Sequence, residues 1–90
     1  MTKAIYSREY AVYVALLKTC RVEAGLTQAQ CTEALGRPQS FMSDVERGSR
    51  RLDLAQLREL LSVLGTDLIR FVARYETALD GLSQGDIHQP

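Results

Sequence analysis

Residues Thr27–Gly48, TQAQCTEALGRPQSFMSDVERG, read as two short helices joined by a tight turn. Thr27-Gln28-Ala29-Gln30 reads as a capping box. The Thr27 hydroxyl accepts from the Gln30 amide, and the Gln30 side chain reaches back to the Thr27 amide. A short helix follows, with Ala29, Cys31 and Leu35 as its small and apolar positions, and Gly36 ends it. Two turns of helix are too few to stand alone, so tertiary packing must hold them. A further helix is predicted from about Pro38, which fits a first turn because its missing N–H costs nothing there. It runs Gln39-Ser40-Phe41-Met42-Ser43-Asp44-Val45-Glu46-Arg47 and stops at Gly48. Met42 and Val45 fall on one side, and Gln39, Ser40, Ser43 and Asp44 largely on the other.

Before this segment, Ser7 is the N-cap of a first helix over Arg8–Ala24. Its stripe is Tyr10, Tyr13, Leu16, Leu17, Cys20 and Ala24, at helical spacing, which reads Tyr10 and Tyr13, with Tyr6 before them, as packing residues. On the far side, Asp53 caps a fourth helix with Gln56 at the third position, and Leu52 and Leu57 form a hydrophobic staple. Leu54, Leu57, Leu60, Leu61 and Leu64 make its stripe, and Gly65 ends it. A fifth helix is predicted over Asp67–Leu79, with Leu68, Phe71, Val72, Tyr75 and Leu79 apolar. From Gly81 the chain turns to Gly, Ser, Gln and Pro, so residues 1–80 read as one domain and residues 81–90 as a disordered tail.

Ninety residues allow one modest core, and 46% apolar with 24% charged is an ordinary globular balance. No run of about 18 apolar residues exists, so no membrane span is expected, and the first residues do not read as a signal peptide. A cytoplasmic protein is the expectation. Cys20 and Cys31 belong to no Cys-x-x-Cys unit and the one histidine, His88, is terminal. Neither a metal site nor any other cofactor is expected, and the thiols read as buried and reduced. No nucleophile has a base partner, so an enzyme is not expected.

Net charge is zero, which argues against nucleic acid, but its distribution argues the other way. In residues 37–51, Arg37, Arg47, Arg50 and Arg51 stand against Asp44 and Glu46, a local excess of two positive charges. Residues 52–90 carry three arginines against six acids. Arg58, Arg70 and Arg74 among them read as solvated helix faces.

The turn Leu35-Gly36-Arg37-Pro38 is short enough to set its two helices at a steep angle. In such a pair the second helix enters the DNA major groove while the first crosses the backbone. An ordinary helical bundle with short connections is the alternative. The few apolar positions of the third helix and the arginines on both its flanks weigh against that.

From about Leu16 to Phe71 the sequence resembles the phage-repressor and Cro-like helix-turn-helix proteins, often called the XRE family. The matching residues are Gly25-Leu26-Thr27-Gln28, Leu35-Gly36, Gln39-Ser40, Ser43 with Glu46-Arg47-Gly48, and Leu64-Gly65. The resemblance implies an all-α, lambda-repressor-like bundle of five helices that binds double-stranded DNA as a dimer on near-palindromic operators. It implies base reading by Gln39, Ser40, Ser43 and Asp44. Gln28 would contact a phosphate and steady the next helix. Arg37, Arg47, Arg50 and Arg51 are the further phosphate candidates, setting affinity and register. Phe71, Val72, Tyr75 and Leu79 are the candidate homodimer surface.

Several positions depart from the pattern or stay open. Thr32 must sit close to the third helix, so its hydroxyl needs a partner such as a preceding carbonyl. Asp44 either accepts from cytosine N4 or pairs with Arg47 or Arg37; pairing is favoured. Phe41 either closes the core or meets a thymine methyl. Glu46 is expected to pair locally or to hold the following loop. The leading function is a sequence-specific transcription regulator, most simply a repressor. The alternatives are an antitoxin that regulates its own operon and binds a toxin protein, and a helical protein-interaction module without DNA binding.

Overall fold

A computed structural model describes the backbone of residues 7–87 and the side chains of residues 7–81. Tyr6, His88 and the last residues of the expected tail lie outside them. Among these residues five helices follow in order: α1 (Arg8–Glu23), α2 (Gln28–Leu35), α3 (Phe41–Glu46), α4 (Leu54–Val63) and α5 (Leu68–Ile87). No strand occurs among the described residues.

The caps fall where the residue types require them. The Ser7 hydroxyl accepts from the Tyr10 amide at 3.1 Å. Thr27 with Gln30, and Asp53 with Gln56, each form both arms of a capping box. α2 closes with a Schellman turn. The Gly36 amide donates to the Glu33 carbonyl and the Arg37 amide to that of Thr32, at 3.1 and 3.0 Å. Gly36 takes φ 67°, where a β-carbon would be strained.

The core lies between all five helices. Leu17 and Cys20 come from α1, Cys31 from α2, Phe41, Met42 and Val45 from α3, Leu60 and Leu61 from α4, Leu64 from the α4 end and Phe71 from α5. Leu52 and Leu57 pack against this cluster from either side of the Asp53 cap. Thr32 is buried, and its hydroxyl donates to the Ala29 carbonyl at 2.9 Å, the partner its position demands. Tyr13 joins α1 to α5, edge-on to Phe71 and Tyr75 with ring centroids 6.0 and 6.4 Å away. Burial, with Tyr10 beside it, pushes the Tyr13 phenol up to about 12. Burial likewise pushes up both thiols, so Cys20 and Cys31 stay protonated and poorly nucleophilic.

Leu54, expected in the α4 stripe, is 69% exposed and stands outside the core. Other expectations also need correcting. The third helix begins at Phe41, not near Pro38. The Phe41 amide donates to the Pro38 carbonyl at 2.9 Å, so Pro38-Gln39-Ser40-Phe41 is a tight turn ahead of the helix. α5 does not stop near Leu79. It continues through Gly81 to Ile87, since glycine costs a helix only about 1 kcal/mol and no proline intervenes before Pro90. Phe71, expected on a dimer surface, is 2% exposed and belongs to the protomer's own core. Tyr75 and Leu79 are half-buried, and the Tyr75 hydroxyl donates to the Glu9 carbonyl at 3.0 Å. Of the four, Val72 alone is fully on the surface, beside the more exposed Ile69.

Candidate nucleic-acid interface

The pairing of α2 with α3 is fixed by ionic and hydrogen bonds as well as apolar contact. Glu46, the last residue of α3, turns inward with its side chain 4% exposed. Arg21 of α1 meets it with two hydrogen bonds, Nε to Oε2 at 2.6 Å and Nη2 to Oε1 at 3.1 Å. The third arm of Arg21 donates from Nη1 to the Leu26 carbonyl at 2.8 Å, holding the α1–α2 connection. Gln28, the first residue of α2, donates from Nε2 to Glu46 Oε1 at 2.9 Å. One carboxylate thereby joins α1, α2 and α3. Burial pushes the Glu46 carboxyl up, but the bonds from Arg21 and Gln28 outweigh it and hold the group below the usual carboxylate range. The bond to Glu46 in turn raises Arg21 above its ordinary value.

Glu46 therefore pairs across 25 residues rather than locally. Arg21 is the functional residue that sequence reasoning passed over. Its signal was present: it lies one helical turn beyond Leu17, a charge on the margin of an apolar stripe. Nothing local named its partner.

The outer face of the unit is small. α3 gives three of its six residues to the core, so more of it is buried than its pattern suggests, and Phe41 closes the core. Gln39 and Ser40 stand exposed in the turn before the helix, and Ser43 and Asp44 are half-buried one turn on. The Ser43 hydroxyl donates to the Ser40 carbonyl at 3.0 Å. The Asp44 carboxylate pairs with Arg47 on the exposed side, the favoured of its two expected roles. The Asp44 carbonyl accepts from the Ser49 and Arg50 amides and from the Ser49 hydroxyl, so it shapes the loop that carries the next arginines.

Three of the four candidate phosphate-binding arginines lie against aromatic rings. The Arg37 and Arg50 guanidinium carbons are 5.4 and 5.1 Å from the Phe41 ring centroid, and that of Arg51 is 4.0 Å from that of Tyr10. The Tyr10 hydroxyl also contacts the Gly48 carbonyl at 3.4 Å. Arg47, Arg50 and Arg51 are exposed and Arg37 half-buried. Five of the nine predicted contact residues, Arg37, Gln39, Ser40, Ser43 and Asp44, thus fall within eight consecutive positions; Arg47, Arg50 and Arg51 follow α3 at once, and Gln28 joins them through Glu46.

Residues 13–72 match the helix-turn-helix domain family. A solved structure of an XRE-family like protein from Pseudomonas syringae pv. tomato str. DC3000 superposes with a TM-score of 0.75 at 36% identity, over 86% of this chain and 94% of that one. The chain belongs to the XRE-like helix-turn-helix family. Membership makes it a DNA-binding regulator. No curated protein matches the sequence.

No cluster of three His, Cys, Asp or Glu side chains that could hold a metal occurs among the described residues. None of the described helices is long and apolar enough to cross a membrane. Arg74 is more than a solvated charge, since it pairs with Glu23 through two hydrogen bonds of 2.9 and 3.1 Å that tie α5 to α1. Arg70 lies 3.7 Å from Asp67 on the α5 surface.

Proposed function

We propose that this protein is a sequence-specific transcription repressor that binds a near-palindromic operator as a homodimer, with the start of α3 in the major groove. The observation that carries the proposal is the grouping of exposed Gln39 and Ser40 at the mouth of α3, with Ser43 and Asp44 a turn on and arginines on both flanks. Gln39 has the donor and acceptor needed for a bidentate contact to adenine. Arg37, Arg47, Arg50 and Arg51 supply sequence-independent attraction to phosphates, and Gln28 stands where α2 would cross the backbone. Asp44, paired with Arg47, orients that arginine rather than reading a base.

With no net charge, one protomer has modest attraction for DNA, so two half-sites are needed for useful affinity. The apolar side chains that favour self-association are Ile69 and Val72 on α5, 83% and 46% exposed. Selection of bound duplexes from a random library tests the proposal. An enriched near-palindrome with half-site centres about one helical turn apart is expected, together with lowered expression of a reporter placed behind it. No enriched sequence and no footprint at low salt would refute it.

A further inference from the structure

The arginines that flank α3 do not project as independent chains. Arg37 precedes the helix and Arg50 follows it, yet both guanidinium groups lie against the ring of one residue, Phe41, the first of α3. Phe41 is 5% exposed and fixed by the core. Arg51 lies against Tyr10, whose ring leans on Tyr13 at 5.6 Å and whose hydroxyl meets the Gly48 carbonyl. A cation over an aromatic face is attracted by the ring quadrupole, and a planar guanidinium stacks there without giving up its in-plane donors. A free arginine must lose much rotamer freedom to hold a phosphate. One already seated on a ring has lost part of it.

We infer that Phe41, held in the core, and Tyr10, leaning on Tyr13, are positioning residues for DNA binding, rings that pre-set Arg37, Arg50 and Arg51 for phosphate contact on the two flanks of the recognition helix. The inference rests on the reading that these arginines contact DNA phosphates, and it adds residues that touch no DNA themselves. It also fixes a sign. Rings that merely sequestered the arginines would weaken binding, and their removal would tighten it.

The test is a double-mutant cycle on the full chain, read by fluorescence anisotropy with a generic 20-base-pair duplex at low salt. The variants are Phe41→Leu, Arg37→Ala/Arg50→Ala, and all three together. The arginine pair should weaken binding. Phe41→Leu alone should weaken it about two- to fivefold for each arginine that loses its ring, and should add nothing once both arginines are gone. A simple loss of packing predicts no such coupling. Arginine variants that bind more weakly, beside a Phe41→Leu protein of unchanged or tighter affinity, or one equally weakened in both backgrounds, would overturn the inference and leave the phosphate reading standing. Arginine variants of unchanged affinity would overturn both. Should thermal melting show Phe41→Leu unfolded, the half-buried pair Tyr10→Leu and Arg51→Ala gives the same cycle, with Tyr10→Phe expected to keep the ring and therefore the affinity.

Discussion

Glu46 is where single residues weigh most. Its carboxylate is nearly buried, and removing either member of a buried ion pair leaves the other charge without compensation, at about 3–5 kcal/mol. Arg21→Met should therefore lower stability to urea by about 3 kcal/mol, and Arg21→Met/Glu46→Leu should recover part of that loss. The same carboxylate gives a pH dependence. Its folded pKa lies below its ordinary value, so the stability it contributes is present above about pH 4.5 and is lost as pH falls through the folded value. Melting temperature measured from pH 7 to pH 3 should drop at the acid end, and Glu46→Gln, less stable at pH 7, should show a shallower drop. At this scale the sequence was only partly legible. Thr32, Thr27 and Asp53 have near neighbours as partners, and their roles follow from spacing. Arg21 and Glu46 are 25 residues apart, and only the packed fold brings them together.

At the scale of elements, one helix beginning and one helix end were misplaced. Gly25, Gly36, Gly48 and Gly65 all take positive φ and mark their stops, whereas Gly81, also a glycine after a periodic run, lies inside α5. The start of α3 was misplaced because Pro38 suits the first turn of a helix and the corner of a tight turn equally well; the bond from the Phe41 amide decides between them. The far end of α5 was misplaced because glycine and polar residues lower helix propensity without forbidding a helix. Gly48 carries the sharpest prediction here. It sits at φ 82°, and an added β-carbon would lie 3.5 Å from the Tyr10 ring. That distance is ordinary contact, so the cost is conformational. Gly48→Ala should lose about 1–2 kcal/mol in denaturant unfolding and, by shifting the loop, should also weaken DNA binding. A variant as stable as the parent would show that the turn relaxes.

For the whole molecule, zero net charge hides a positive middle and a negative C-terminal part. The charge was legible in sequence; the surface of α5 was not. Helical spacing put Phe71, Val72, Tyr75 and Leu79 together, but α5 packs on both α1 and α4, which takes Phe71 inward and leaves Ile69 and Val72 outside. Ile69→Asp should therefore leave stability within about 0.5 kcal/mol, as exposed sites usually do, while the proposed dimer should sediment as a monomer. An unchanged sedimentation coefficient would remove α5 from the dimer account.

In the reading proposed above, DNA meets the α2–α3 unit and its arginine flanks. Amide chemical shifts followed during titration with a selected duplex check this contact. Perturbations should concentrate at Gln28, Arg37 to Asp44 and Arg47 to Arg51, with Leu60 and Arg74 nearly still. Perturbations centred on α4 or α5 instead, or none at saturating DNA, would contradict it.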